Sequence, residues 1–525
     1  MSSTAASPGT GHSTPPHPMA VIDIGATSIR MAVGEINAQG DVRVIDTLSQ
    51  AVSLGKDVFT RGQINKSTIE DCVRVLKIYR HKLREYQISG SDRIRVVATS
   101  AVREASNRLS LIDRVYIATG LEVEPLDEAE VTRLTFLGVQ PHLVSDNRFA
   151  DAQTLVVEVG GGSTEVLLIR DLNVAFSYTY RLGSMRLRRT LEAYRAPAMK
   201  VREIMENQIA RTVNQIRRRV ASDAPSQMIA LGGDVRFAVA ELLPDWDRHE
   251  LATIDVAALR ELTDDLLNSH VDELVQQRHL NFPDAETVGP ALLTYVELAE
   301  ALGLKQLHVS NVNLRDGLLE EIALGQTWTE EFRHQIIRSA LDVAEKYSCD
   351  RAHAVQVAEL SRSLFRELAD EHQLDPRYEM LLYTAALLHE AGLFISNRAY
   401  HKHSMYVIRN SEIFGLGKSE LLLVALTARY HRRASPQPTH EGYAMLERDR
   451  RVAIAKMAAL LRIAVSLDES RTQRINQISC SRRKDQLVIS VHGVDDMSLE
   501  LLALRQSGTL FEEVFGLKPV LRSVS

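Results

Sequence analysis

Cysteine is nearly absent from this sequence. Cys72, Cys349 and Cys480 are the three in 525 residues, and no two of them form a CxxC pair. That argues against a disulfide framework and a structural zinc site, and it fits a reducing compartment such as the cytoplasm. No apolar run reaches the length of a membrane span. The first eighteen residues, MSSTAASPGTGHSTPPHP, have neither a basic n-region nor an apolar h-region, so they are not a secretory signal. Their Ser/Thr/Pro/Gly composition reads instead as a disordered leader over residues 1–18. An excess of positive charge is also missing. Lys and Arg number 62 against 68 Asp and Glu, a net charge of −6, which removes any broad electrostatic case for nucleic acid. What remains is an ordinary globular balance, 45% hydrophobic and 25% charged, in a chain long enough for about three to four domains.

The most informative stretch is residues 155–169, LVVEVGGGSTEVLLI. A buried strand ends in Glu158, the glycines 160, 161 and 162 follow, then Ser163 and Thr164, and Glu165 opens a second apolar run. Gly160, Gly161 and Gly162 remove every Cβ from a strand-to-strand turn, so backbone N–H groups can close on an anion, with two hydroxyls beside them. Glu158 and Glu165 would repel a bare phosphate. They make sense with a divalent cation between them and the phosphate. A tight hairpin with solvated carboxylates is the bland alternative. Residues 20–36, AVIDIGATSIRMAVGEI, repeat the grammar: strand, Asp23, then Gly25, Ala26, Thr27 and Ser28, then strand. The two carboxylates lie about 135 positions apart, the distance of a domain repeat. A duplicated strand–turn–strand unit suggests two similar domains across a cleft, the layout of the actin, sugar-kinase and heat-shock ATPase class.

Elsewhere, residues 94–98 read as a strand running into Thr99, Ser100 and Arg103, a place suited to an anion. Residues 127–139 read as a helix with Glu128 and Glu130 in its first turn, where acidic residues commonly just complement the dipole. Arg181, Arg186, Arg188 and Arg189 form either a basic rim for a polyanion or a solvated helix start. Residues 228–231 are a strand, and Gly232-Gly233-Asp234 turn it into a helix, a second anion or nucleotide contact in two-lobed folds. From residue 330 to about 470 the patterns are helical and rich in histidine. Residues 478–480, 487–492 and 499–502 read as strands of a small C-terminal module.

The motifs VIDIGATSIRM, VVATSAVREASN, AEVTRLTFLGV, VVEVGGGSTEVLLI, RLGSMRL, ALGGDVR and NLRDGLL, in this order over roughly residues 20–325, resemble those of the exopolyphosphatase / guanosine pentaphosphate phosphohydrolase (Ppx/GppA) family. CDRAHAVQVAEL, AALLHEAGLFIS, HKHSMYVI and ARYHRR are similar to the helical part of its longer members. The resemblance implies an α/β fold of two actin-like (ASKHA, ribonuclease H-like) lobes, at residues 19–140 and 141–326. It further implies an all-α HD-like domain at 327–475, a small C-terminal α/β domain at 476–525, and a homodimer. The implied reaction is release of terminal phosphate from inorganic polyphosphate, guanosine pentaphosphate or both, with Mg²⁺ or another divalent cation. The family's catalytic glutamate looks like Glu130, its turn acids like Glu158 and Glu165, and its phosphate-contacting arginine like Arg103. HD phosphohydrolases bind metal through a His, a His-Asp pair and a later Asp. Here His353, His389-Glu390 and Asp468 look like a degenerate version of that set.

The chain departs from the family at three places. Glu158 stands where Asp is usual. Gly-Ala-Thr-Ser stands for Gly-Ser-Asn-Ser. After Glu130 the helix continues Val-Thr where a second Glu and Ala are common. An extra methylene can misplace a cation or its water by about an ångström, enough to cost roughly 100-fold in rate. On this reading the backbone of 25–28 and 160–164 grips phosphate with Arg103, Glu158 and Glu165 with Asp23 hold Mg²⁺, and Glu130 orients the attacking water. A weakly catalytic polyphosphate- or alarmone-binding protein is the alternative, identified by tight binding without turnover. A sugar- or acetate-type kinase is a third, identified by ATP-dependent transfer.

Overall fold

In the computed structural model the described residues are 17–37, 42–90, 92–193, 200–220, 226–324, 328–494 and 496–524. Most of the expected leader, residues 1–16, lies outside them. Its last two residues belong to the first strand. The chain forms two compact units, Met1–Thr327 and Trp328–Ser525.

The first unit contains two sheets of the same design. In one, strands β1 (His17–Ile24), β2 (Ser28–Ile36) and β3 (Val42–Ala51) form an antiparallel meander, and β4 (Ile94–Ala98) and β5 (Val123–Pro125) add in parallel beside β1, giving the order β3-β2-β1-β4-β5. In the other, β6 (Gln153–Val159), β7 (Thr164–Arg170) and β8 (Asn173–Tyr180) form the meander. Strand β9 (Ser226–Leu231) runs parallel to β6, and β10 (Ala252–Asp255) and β11 (Gln306–Val309) complete the order β10-β11-β9-β6-β7-β8. The central strands VIDI and LVVEV are apolar on both faces because helices cover both. Helix Lys66–Glu85 buries Cys72, Leu76, Tyr79 and Leu83 on one side of the first sheet. Met19, Val21 and Val97 face the other way, against Leu134, Leu314 and Leu318. Helix Leu54–Arg61, which the sequence pattern did not reveal, follows β3.

The second unit is helical from Glu330 to Leu467. It ends in a three-stranded sheet of β12 (Ile478–Arg483), β13 (Gln486–His492) and β14 (Lys518–Val524), in which β14 pairs in parallel with β13. Residues 499–502, expected as a strand, lie in helix Ser498–Ser507. A short Leu run does not distinguish helix from strand by periodicity, and here Leu499 and Leu502 are exposed while Leu504 is buried. The third strand carries Pro519, which an edge position tolerates. Among the described residues no helix is long and apolar enough to cross a membrane.

Candidate active site

The two glycine turns are structural copies. In the first, Gly25 N–H donates to Ser28 O at 3.0 Å. In the second, Gly160 N–H donates to Ser163 O at 2.8 Å. Each turn joins two antiparallel strands, and the carboxylate two residues before the glycine faces a cross-strand partner. For Asp23 the partner is Arg30. For Glu158 it is Glu165. The repeat therefore puts an arginine in one hairpin where the other has a second glutamate.

One cleft takes in both turns. Of the expected residues it is lined by Asp23, Gly25, Ala26, Thr27, Ser28, Arg103, Glu158, Gly160, Gly161, Ser163 and Glu165. Arg103 sits in the short helix Ser100–Glu104, held by a 3.0 Å bond from Nη1 to Leu126 O. Gly162 and Thr164 stand back from the cleft. A side chain on Gly162 would strike Phe59 and Ser100, and the fully buried Thr164 hydroxyl donates to Leu182 O. The second turn is clamped from behind by the start of helix Ser184–Ala193, where Ser184 and Arg186 N–H bond Gly160 and Gly161 O at 3.0 and 2.9 Å. Gly183 makes that approach feasible, because a Cβ there would lie 2.4 Å from the backbone of Gly162.

Glu130 is not a cleft residue. Its carboxylate takes two bonds from the buried Arg133, at 2.7 and 3.0 Å, and lies 3.5 Å from Arg95. Arg133 also bonds Glu321, and Arg95 reaches Glu321 at 2.8 Å. This four-residue network ties helix Glu128–Ser145 to helix Leu314–Leu324. Although burial opposes it, Arg133 and then Arg95 hold the Glu130 carboxyl below its ordinary range. From that helix the residue lining the cleft is Val131. Where the sequence reading expects Glu130 to act on a bound substrate, the structure places its carboxylate in this arginine network, held by an i,i+3 arginine, and its neighbour Val131 at the cleft.

The carboxylates that do line the cleft are electrostatically strained. Burial, and then the Glu158 carboxylate opposite, push Glu165 up to about 7, despite a 2.6 Å bond from Ser163 Oγ. Burial raises Glu158 and Asp23 too. Asp23 is 6% exposed, its Oδ1 has no hydrogen-bond partner, and its Oδ2 lies 3.5 Å from Arg315. Tyr295, unremarked in the sequence, joins the two sheet strands beneath the turns. Its phenol oxygen accepts Val159 N–H at 2.8 Å and donates to Leu231 O. Only the long-range packing of helix Phe282–Ala301 brings it there, so no local pattern could have identified it. The basic cluster at 181–189 is partly paired with acids. Arg181 and Arg186 hold Glu104 at 2.8 and 2.6 Å, and Arg188 and Arg189 reach Glu286 at 3.6 and 2.7 Å.

In the second unit, His353, His389 and Glu390 offer ligand atoms within 4.8 Å of one another. Asp468 is turned to His353 Nδ1, at 2.8 Å, and accepts Gln473 N–H at 3.0 Å. Glu390 accepts from Arg471 at 2.5 Å. His389 donates from Nδ1 to Ala386 O at 2.7 Å, and burial pushes it down to about 4.

The sequence profile of the Ppx/GppA phosphatase family matches residues 32–325, and that of the Ppx/GppA phosphatase domain III matches residues 337–507. The chain belongs to the Ppx/GppA family. Its relatives include a guanosine-5'-triphosphate,3'-diphosphate pyrophosphatase of Aliivibrio fischeri, 24% identical over 92% of this chain and 93% of that protein. Another of that name, from Photobacterium profundum, is 22% identical over 85% and 86%. Among solved Ppx/GppA-type structures, an exopolyphosphatase from Cytophaga hutchinsonii superposes with a TM-score of 0.53 at 21% identity, over 59% of this chain and 99% of that one. Members of the family are hydrolases of phosphoanhydride bonds.

Proposed function

We propose that the first unit is a phosphohydrolase that releases the terminal phosphate of a phosphoanhydride chain, from guanosine pentaphosphate or inorganic polyphosphate. The observation that carries this reading is the pair of matching glycine turns, each ending a carboxylate-bearing strand, on one cleft of a Ppx/GppA-family chain. A divalent cation fits the donors there. Glu158 and Glu165 face each other in register, like charges directly opposite destabilise a sheet, and Asp23 Oδ1 lacks a partner. Hard carboxylate oxygens suit Mg²⁺. Asp23 and Glu158 would hold it, and when bound it supplies positive charge to the phosphate oxygens.

The remaining roles fall to the chain. Gly25 and Gly160 use their N–H groups to close the turns, so the amides of Ala26, Thr27 and Gly161 meet the phosphate. Arg30 and Arg103, both cleft residues, balance its charge. Water attacks the terminal phosphorus, the bond to the bridging oxygen breaks, and Glu165 accepts the proton from the water. Burial raises the Glu165 carboxyl, a cation beside Glu158 would oppose that rise, and Ser163 Oγ fixes the carboxylate for the task at 2.6 Å.

Val131 favours a second reading. The cleft receives an apolar side chain from the helix in which the family commonly shows paired glutamates, so a chain that binds its ligand and turns it over slowly fits as well. Phosphate release from guanosine pentaphosphate and from long-chain polyphosphate, with and without Mg²⁺, decides between them. Cation-dependent release lost in Glu165→Gln supports the hydrolase. Tight binding of either compound without release supports the binder.

A further inference from the structure

An anion-binding turn has to point amides at its ligand, and hydrogen bonds to its carbonyl oxygens set the peptide planes. In the first turn three main-chain amides do this. Gly55 N–H donates to Ala26 O at 2.8 Å, Val52 N–H to Thr27 O at 3.0 Å, and Gly25 N–H to Ser28 O at 3.0 Å. In the second turn two of these ties recur. Arg186 N–H donates to Gly161 O at 2.9 Å, and Gly160 N–H to Ser163 O at 2.8 Å. The middle tie is different. Gly162 O, the counterpart of Thr27 O, accepts from a side chain, Arg186 Nε, at 2.7 Å. Of these six carbonyls it is the one whose tie a substitution can remove. The guanidinium is anchored in turn. Its Nη2 donates to Glu104 at 2.6 Å, and its Cζ lies 4.2 Å from the centre of the Phe59 ring. Phe59 belongs to helix Leu54–Arg61, whose Gly55 steadies the first turn, and Glu104 follows Arg103 in its short helix.

The C=O and N–H of one trans peptide point in opposite directions. Drawing Gly162 O back onto Arg186 therefore aims Ser163 N–H forward, and Ser163 lines the cleft while Arg186 stands behind the turn. We infer that Arg186 is a positioning residue for phosphate binding. It holds the Gly162–Ser163 peptide with its N–H towards the anion, and through Phe59 and Glu104 it keeps that peptide in step with the first turn and with Arg103. It acts by geometry, since Glu104 already matches its charge. Without the tie, Gly162 has no Cβ to stop its carbonyl oxygen from rotating towards the phosphate, which would put a repelling acceptor where a donor belongs. The inference rests on the reading of the cleft as a phosphate site.

Calorimetric binding of diimidotriphosphate, a tripolyphosphate with N–H in place of its bridging oxygens, to the full chain with Mg²⁺ tests this in Arg186→Lys and Arg186→Met. Lysine keeps the charge beside Glu104, but its single nitrogen cannot hold Glu104 and Gly162 O together as the guanidinium fork does. Methionine loses the charge as well. Both variants are expected to raise Kd by about tenfold or more, and by factors that agree within about threefold, the loss of one charge-assisted hydrogen bond. A residue that only supports the fold would lower the melting temperature and the number of binding sites per chain while leaving Kd as in wild type. Wild-type Kd in Arg186→Lys overturns the inference, whether Arg186→Met binds weakly, which would make Arg186 a charge contact, or normally, which would leave it no role in the site. If Arg186→Met does not fold, Arg186→Lys decides alone, by the same tenfold loss or its absence. The phosphate-site reading fails separately, and the inference with it, if wild type neither binds the analogue nor releases phosphate from guanosine pentaphosphate or polyphosphate.

Discussion

Glu130 and Glu165 are expected to respond in opposite ways to the same substitution. Glu130→Gln removes the charge that faces Arg133, a fully buried guanidinium. Breaking part of a buried ion network leaves an under-compensated charge, and with the amide keeping one contact the expected cost is about 2 kcal/mol of stability. Phosphate release per folded molecule should change less than about threefold, since the carboxylate is outside the cleft. Glu165→Gln relieves a like-charge pair with Glu158, so its melting temperature should hold or rise, while release should fall by about 10²- to 10⁴-fold as the proton acceptor is lost. Thermal melts and phosphate assays on the two variants check both halves. If Glu130→Gln melts like wild type and abolishes release, the assignment reverses. Val131→Glu is the complementary change. It adds a carboxylate to the cleft wall, and if slow turnover comes from its absence, release should increase by about tenfold or more.

At the scale of the element, the hairpins show what was legible in the sequence and what was not. The twin turns could be seen because their cause is local: an apolar strand, an acid, small residues and a second strand are contiguous in both copies. The cleft-facing positions of Gly25, Gly161 and Ser163 follow from that grammar. Helix phase was not legible in the same way. Glu130 and Val131 are adjacent, and which of them turns to the cleft depends on Arg95, Arg133 and Glu321, the last nearly 200 residues away. The residues 499–502 failed for a related reason, because a four-residue Leu-rich run carries no period long enough to separate helix from strand. Tyr295 lay furthest from reach, and it yields a prediction at this scale. Tyr295→Phe leaves the buried Val159 N–H and Leu231 C=O without their shared partner. It should cost about 1–3 kcal/mol and lower release rate more than affinity, since the strand ends that carry Glu158 and Gly232 lose their common anchor. A melt combined with separate kcat and KM values tests it. Unchanged kcat would show that the tie is structural only.

For the molecule as a whole, the buried carboxylates should make stability depend on pH in a direction that a bound cation reverses. Glu165 titrates near 4.5 when unfolded and at about 7 in the fold. Below about pH 4.5 it is protonated in both states and contributes no difference. As pH rises towards 7 the unfolded chain releases its proton while the folded chain retains it, so the folded state loses stability, by about 3 kcal/mol at most for this one group. Glu158 and Asp23 are shifted in the same direction, and Asp234 from 3.8 to about 7, so the cleft acts as a unit against the usual contribution of salt-bridged surface acids. A divalent cation that binds only the ionised, folded cleft adds stability that grows with its concentration over its dissociation constant. In chelator-treated protein the melting temperature should therefore drop between about pH 5 and pH 7.5, and millimolar Mg²⁺ should flatten or invert that slope. Glu165→Gln should make it shallower without any cation, because one of the groups that titrate is gone and its neighbour Glu158 loses a like charge. A melting temperature that rises with pH in the absence of cation, or a slope that Mg²⁺ does not alter, would show that the cleft acids are neutralised by Arg30, Arg103 and Arg315 alone. The cleft would then need no metal to hold its charge.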